Sequence, residues 1–304
     1  LTDPFSAEQL GSSVVAVPPL ARTASLEICR DQNTKIIRFL EAGGVRSILY
    51  GGNAVLYHVQ LSEYAGLLTM LAESSSSETA IIPSIGPAYG FSLDQIDVLK
   101  DFEFPTAMLL PSRDVVDQAG IASGVRRLAE RLGKPLVLYL KFDRWLEPSL
   151  ISSLEADGAI SWIKYAVVRE DTSDDALLRS LLDQVDPAMV VSGIGEQPAI
   201  IHLRDFGLAG FTSGCVCVAP SKSMAMLAAI SSGDYSGADA IRSRFQALED
   251  LRNGHGPIPV LHHAVALAGI ADTGSHLPLM ADLEGGVLDS IAGAARELLQ
   301  YEGS

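Results

Sequence analysis

The chain has 304 residues, 48% of them hydrophobic, which suits one large domain with a well-covered core or two small ones. Its 22 basic and 37 acidic residues give a formal net charge of −15, which disfavours nucleic acid and anionic lipid surfaces as partners. No apolar run is long enough to predict a membrane span, and the first residues lack the pattern of a signal peptide, so we expect a cytoplasmic protein.

Short apolar runs rich in β-branched residues recur along the chain, and a helical pattern follows each one. The steps of about 23 to 33 residues accommodate one strand, one crossover helix and two loops. Strands are predicted near residues 13–17, 46–50, 79–84, 106–110, 135–140, 160–166, 188–192 and 210–216. Strand–helix units that repeat without a composition shift favour a closed parallel (β/α)8, or TIM, barrel over an open sheet.

Several helix ends are predicted from local signals. Ser92, with Gln95 three residues later, is close to a capping box and predicts a helix start. Gly133 follows an amphipathic run and predicts a helix end. A cluster of acidic residues predicts a solvated helix start, where carboxylates favour the helix dipole: Asp171, Asp174 and Asp175.

The residues that follow the eighth strand are too many for a single closing helix. Apolar positions at helical intervals predict helices near residues 221–232, 235–252, 257–270 and 284–301. No linker divides the chain into independent parts. We therefore expect a barrel over residues 1–220 and a helical extension over residues 221–304, packed on the barrel.

Lys164 lies within an apolar run, residues 159–168, that forms the sixth predicted strand. A strand of this composition is normally buried on both faces, so the ammonium loses hydration and its pKa should fall towards neutrality. A neutral amine is a nucleophile. The alternative is an edge strand that keeps this lysine in water.

The carboxyl ends of the strands carry the chemistry in this architecture. Glycines there let a ligand approach the backbone, and free N–H groups can hold a carboxylate, which makes Gly193 and Ser213 substrate-binding candidates. Alternation along the strands places Tyr139 and Lys164 at similar height on neighbouring strands, about 4.8 Å apart. A phenol and an amine at that spacing can share one substrate, although Tyr139 alone is also typical of a packing aromatic.

The order of these features resembles the dihydrodipicolinate synthase and N-acetylneuraminate lyase family over the whole chain. The most specific parts are the segment Tyr139-Leu140-Lys141-Phe142-Asp143-Arg144 and the later Lys164. The resemblance implies class I aldolase chemistry, in which Lys164 forms a Schiff base with pyruvate or a related 2-oxo acid and Tyr139 relays protons. It also implies a homo-oligomer, a tetramer or dimer, that needs no cofactor.

The resemblance further implies which residues bind the substrate. The backbone and side chains of Gly52, Asn53 and Ala54 would hold the carboxylate, and Arg144 would grip the carboxylate of a second substrate. The turn departs from the family pattern because it has no threonine hydroxyls. Tyr57 and His58, just past the turn, are candidates to replace the missing polar groups, or they are loop surface.

Two alternative functions stay open. Gly193-Ile194-Gly195 and Ser213-Gly214 also suit a phosphate site of a barrel enzyme that binds a phosphorylated sugar, although Glu196 would repel phosphate. A catalytically silent descendant that only binds a small acid is the second alternative.

Metal binding is not expected. His255, His262 and His263 have no carboxylate at ligand spacing. The cysteines, Cys29, Cys215 and Cys217, form an odd set without the spacing of a zinc or redox pair, which predicts reduced packing residues.

Overall fold

The computed structural model describes residues 5–304, which form a parallel barrel with helices around it. Its strand segments are β1 (Val15–Ala16), β2 (Ser47–Leu49), β3 (Ala80–Ile82), β4 (Ser84–Ile85), β5 (Met108–Leu109), β6 (Leu136–Leu140), β7 (Ile160–Tyr165), β8 (Val190–Ser192) and β9 (Gly210–Ser213). Every predicted strand contains one of these segments, and the predicted barrel class is confirmed.

The third predicted strand is split at Pro83 into β3 and β4. β3 pairs with β2, and β4 pairs with β5, both in parallel. Proline has no N–H, so it interrupts the ladder, but its carbonyl still accepts a 2.9 Å hydrogen bond from Met108 N. β1 pairs with β9 on the other side. The two segments therefore share one position of an eight-stranded barrel.

One short helix precedes the first strand, and the other helices follow strands and cover their outer faces. They are α1 (Ala7–Ser12), α2 (Arg30–Ala42), α3 (Leu61–Ser74), α4 (Tyr89–Leu99), α5 (Gln118–Leu132), α6 (Pro148–Ala156), α7 (Ala176–Leu182) and α8 (Ala199–Asp205), with 3₁₀ turns at Leu56–His58, Pro187–Met189 and Cys215–Cys217. In the part of the chain that the structure describes, no helix is both long and apolar enough to cross a membrane.

Capping residues set several of these helix ends. The Asp117 side chain accepts from Gly120 N at the start of α5, and Gly133, with φ of 76°, ends that helix as predicted. Asp175 accepts from Leu178 N and caps α7. The acidic cluster therefore does mark a helix start, but the expectation that it is solvated is wrong for Asp175, which is buried against Tyr165 and Arg169.

The predicted start at Ser92 is wrong. α4 begins at Tyr89, and Ser92 lies buried within its first turns. Its hydroxyl donates backward to Ala88 O at 3.0 Å instead of accepting a forward N–H. Serine makes both kinds of bond, so the sequence pattern alone does not separate them.

Four helices follow β9 close to the predicted ranges: α9 (Pro220–Ser231), α10 (Tyr235–His255), α11 (Pro257–Leu267) and α12 (Gly286–Glu302). They enclose a core of their own, which includes Phe245, Leu261 and Ile291. Met226 and Leu227 of α9 instead belong to the barrel core. The extension therefore packs on the barrel, and the division at residue 220 stays a prediction.

Candidate active site

Lys164 and Tyr139 are neighbours across β6 and β7. They are register partners in the parallel pair, and Lys164 Nζ lies 4.6 Å from the centroid of the Tyr139 ring. Tyr165 points the other way, and its hydroxyl donates to Asp175 Oδ2 at 2.6 Å beside α7. Because side chains alternate along a strand, Lys164 faces the barrel interior. The structure brings the two predicted catalytic residues together, while their roles stay predictions.

The Lys164 amine is buried without a counter-ion. The side chain is 5% exposed and has no hydrogen bond or ion pair with any residue of 5–304. Burial, and then the positive charges of Lys141 and Arg252, lower the pKa of Lys164 to about 7. Burial also raises the pKa of the Tyr139 phenol to about 12, so the phenol is neutral. A neutral amine beside a neutral phenol can combine attack on a carbonyl with proton transfer.

The turn after β2 offers free backbone donors. The N–H groups of Gly52, Asn53 and Ala54 have no partner among the described residues. The turn is fixed from two sides, because Asn53 Nδ2 donates to Val17 O at 2.9 Å and His262 Nε2 lies 3.0 Å from Asn53 O. Burial lowers the pKa of His262 to about 3, so the neutral ring serves as the donor. Successive free N–H groups suit an anionic oxygen, even without threonine hydroxyls.

Tyr57 lies between the turn after β2 and Lys141. A Cβ placed on Gly52 would lie 3.8 Å from Tyr57 Cε2, and Lys141 Nζ lies 5.6 Å from the Tyr57 ring centroid. Burial, and then the nearby Tyr139, raise the pKa of Tyr57. His58, the other candidate beside the turn, is exposed. The sequence analysis missed Lys141, although its position two residues after Tyr139 predicts the same side of the strand.

Comparison with known proteins places this fold. Searches of protein-family models and of curated proteins found no match. Among solved structures, the dihydrodipicolinate synthase of Oceanobacillus iheyensis superposes with a TM-score of 0.83 at 20% identity, over 98% of this chain and 99% of that one. The chain shares the fold of dihydrodipicolinate synthase.

Two further synthases give the same result. The enzyme from Bacillus clausii has a TM-score of 0.83 at 19% identity, with coverage of 98% of this chain and 99% of that one. The enzyme from Thermotoga maritima has a TM-score of 0.81 at 15% identity, with coverage of 96% and 99%. The fold that the resemblance implied is confirmed over nearly the whole length, including the helical extension, whereas identities this low leave the activity to be argued from the site.

The loops after β8 and β9 are tied together by buried carboxylates. Ser213 Oγ donates to Glu196 Oε2 at 2.8 Å, and Glu196 N donates to Glu249 Oε1 at 3.0 Å. Gly193 N donates to Tyr165 O at 2.6 Å, and a Cβ at Gly193 would lie 2.7 Å from the same oxygen. The Ser213 hydroxyl and the Gly193 N–H are therefore engaged within the protein, and their substrate-binding roles stay predictions.

One group among residues 5–304 has the spacing of a metal site. Ligand atoms of Glu196, Cys215 and Glu249 lie within 4.8 Å of one another, and all three residues are buried. Arg252 of α10 stands beside them, with its Nη2 3.6 Å from Glu249 Oε1 and donating to Ile194 O. We infer that Arg252, and not a metal ion, supplies the positive charge in this cluster, because its guanidinium already neutralises a carboxylate there.

Arg144 lies in a neighbouring cleft of about 490 Å³, which Lys141, Phe142 and Trp145 also line. Its side chain is exposed, and its backbone is left-handed, with φ of 56°. The carboxylate-binding role of Arg144 stays a prediction. Lys141 borders both this cleft and the space around Tyr57, so the cleft and the lysine site are adjacent.

Replacing Lys164 with Met tests the uncharged state of the amine. The folded chain has a Lys164 pKa of about 7, whereas an unfolded lysine titrates near about 10.4, so the unfolded chain binds an extra proton between these values. This group therefore makes the wild-type unfolding free energy rise with pH across that window. We expect Lys164→Met to stabilise most below about pH 7 and progressively less towards about pH 10, as measured by chemical denaturation.

Lys100→Met is the matched control, because Lys100 is exposed on the surface. Its effect on the unfolding free energy should stay nearly constant over the same pH range. If Lys164→Met gave an equally constant difference, the lowered pKa of Lys164 would be refuted.

Proposed function

We propose that this chain is a divergent member of the dihydrodipicolinate synthase and N-acetylneuraminate lyase family, a Schiff-base-forming lyase or synthase acting on pyruvate or a related 2-oxo acid. The observation that carries the proposal is the Lys164 amine, buried without a counter-ion next to Tyr139. The fold supports it, since the solved structures described above are dihydrodipicolinate synthases.

In the proposed reaction, the neutral Lys164 Nζ attacks the ketone carbon of the 2-oxo acid. The substrate carboxylate rests against the N–H groups of Gly52, Asn53 and Ala54. The ketone oxygen takes up protons, one of them through Tyr139, and leaves as water while the iminium forms. The iminium accepts the electron pair when the neighbouring carbon–carbon bond breaks. In the reverse direction, the enamine returns that pair to an aldehyde carbon.

The phosphosugar alternative has less support. Glu196 and Glu249 lie buried behind the loop Gly193–Gly195, and Glu196 N is already bonded to Glu249. Gly193 N also donates to Tyr165 O, so the loop has fewer free N–H groups to offer a phosphate. We therefore prefer the 2-oxo acid reading.

Borohydride trapping tests the proposal directly. Incubation of the protein with pyruvate and sodium borohydride should add the mass of one reduced pyruvyl group to the peptide that contains Lys164. The reason is that the neutral amine forms an imine that borohydride makes irreversible. Peptide mass spectrometry measures the modification.

The matched control is again an exposed lysine. Lys100→Met should still be trapped, and Lys164→Met should not. Modification spread over surface lysines, or none at Lys164, would rule out the Schiff-base mechanism. If the wild type turned over no substrate and a Lys164 variant still bound pyruvate, the result would instead favour the small-acid sensor.

Tyr139→Phe tests the proton relay. The substitution keeps the ring beside Lys164 but removes the hydroxyl, so we expect kcat to fall by about 10²- to 10⁴-fold while trapping at Lys164 persists. Steady-state kinetics on a substrate that the enzyme converts measures the loss of the proton relay, and trapping measures Schiff-base formation. Tyr64→Phe is the control, since Tyr64 is buried on α3 away from the lysine and donates to Ser84 O. An unchanged kcat in Tyr139→Phe would remove Tyr139 from the mechanism.

We also propose that the chain forms a homo-oligomer. Large apolar side chains are exposed near the carboxyl ends of the strands, and Tyr89 and Val115 line one shared surface cleft. Exposed apolar surface of this kind favours self-association. Val115→Asp should lower the molar mass measured by light scattering during gel filtration. Leu279→Asp, at another exposed apolar residue, is the control, and an unchanged mass in Val115→Asp would exclude this surface as the interface.

A cytoplasmic location is part of the proposal. The cysteines of the described residues are free, with Cys215 and Cys217 buried. Burial raises the pKa of both buried thiols, which makes them poor nucleophiles and suits packing residues. Reduced thiols are typical of the cytoplasm.

A further inference from the structure

The cleft beside the lysine site is basic in an otherwise acidic protein. Arg113, Lys141 and Arg144 line it, and none of the three forms an ion pair within residues 5–304. The chain as a whole has a formal net charge of −15. Three cations without an ion-pair partner around one cleft are therefore unexpected in a chain of this composition.

The acidic side chains of the same cleft are already engaged. Asp143 is held by Arg169 through two hydrogen bonds of 2.6 Å each. Asp117 accepts from Gly120 N at 2.7 Å and caps α5. The lining side chains carry three positive charges and two negative ones, and Arg169 shares its own charge between Asp143 and the buried Asp175, whose Oδ2 lies 3.1 Å from Arg169 Nε. Positive charge therefore exceeds negative charge around the cleft.

Aromatic rings hold two of the three cations, Arg113 and Lys141, in place. Arg113 Cζ lies 5.3 Å from the centroid of the Phe142 ring, and Lys141 Nζ lies 5.8 Å from the same centroid. Trp145 also lines the cleft, and its Nε1 donates to Ser112 O at 2.7 Å. Cation–π contacts order these long side chains before any ligand arrives, which reduces the entropy lost on binding.

Lys141 joins this cleft to the lysine site, because its Nζ also lies 5.6 Å from the Tyr57 ring centroid. A molecule whose ketone reaches Lys164 can therefore extend past Tyr57 into the cleft. Apolar contacts with Phe142 and Trp145 would accompany its middle part.

We propose that the cleft binds the far end of the substrate, and that this end is dianionic, a dicarboxylate or a phosphate monoester. Naming the ligand as substrate rests on the proposed function, whereas dianion binding does not. Arg113 and Lys141 are the specificity-determining residues, in addition to the Arg144 that the family resemblance indicates. Guanidinium groups bind planar and tetrahedral oxyanions through paired hydrogen bonds, and a ligand end with two charges can pair with more than one of the three cations.

Tryptophan fluorescence tests this site without any turnover. Glutarate and glycerol 3-phosphate are the dianionic probes, and acetate is the monoanionic control. Trp145→Phe should abolish the binding-dependent change in fluorescence, because Trp145 lines the cleft and the other tryptophan, Trp162, does not. We expect saturable binding of at least one dianion, tighter than that of acetate, and Arg113→Gln and Lys141→Met should each weaken it by about ten-fold or more. Which dianion binds more tightly distinguishes carboxylate from phosphate.

Arg127→Gln is the matched control, since it removes one exposed charge of α5 outside the cleft, and its affinity should change less than about two-fold. Equal affinity for acetate and both dianions, or unchanged affinity in Arg113→Gln and Lys141→Met, would overturn the inference. Lys164→Met should retain dianion binding while losing trapping. If wild-type protein bound dianions through Arg113 and Lys141 but resisted trapping, the proposed function would fail and the dianion site would stand.

Discussion

One unpaired amine inside the barrel constrains the rest of the site. Lys164 has no acidic partner within the described chain, and an acid beside it would hold the ammonium and remove the nucleophile. Burial, and then the positive charges of Lys141 and Arg252, lower the pKa of Lys164 and favour the uncharged amine, and the Tyr139 phenol beside it is neutral. On the loop after β8 and on α10, Glu196 accepts from the Ser213 hydroxyl and Glu249 Oε1 accepts from Glu196 N. The charges around Lys164 therefore favour a neutral Nζ.

The helical extension takes part in this arrangement. α10 carries Glu249 and Arg252, which tie down the loop after β8 through Glu196 N and Ile194 O. α11 carries His262, whose ring supports the turn after β2 at Asn53 O. Both loops border the lysine site, so the extension fixes the positions of groups that the barrel alone would leave on flexible connections. A barrel without these helices would keep Lys164 but lose the geometry around it.

The sequence was most informative where the physics is local and periodic. Strand spacing predicted the barrel, and alternation predicted Tyr139 beside Lys164, because parallel strands in register put such residues at one level. The start of α4, the engagement of Ser213 by Glu196, and the approach of Arg252 to the lysine were not predicted. Each depends on which of several bonds a polar side chain makes after folding. Ser92 chooses between a forward and a backward bond of similar local spacing, so the pattern does not separate them. Ser213 and Glu196 lie on different loops, and their spacing in the chain does not predict the contact.

The two ends of the site differ in how they recognise a ligand, and this difference explains how a barrel can diverge while its proposed chemistry is kept. The turn after β2 offers backbone N–H groups, which survive the loss of threonine side chains because every non-proline residue has one. The basic cleft, in contrast, consists of side chains such as Arg113 and Lys141, which single substitutions create or remove. Recognition near the amine is therefore tolerant of sequence change, and recognition at the far end is not. On the proposed function, an identity of 20% to a synthase is compatible with the same imine and a different partner for it.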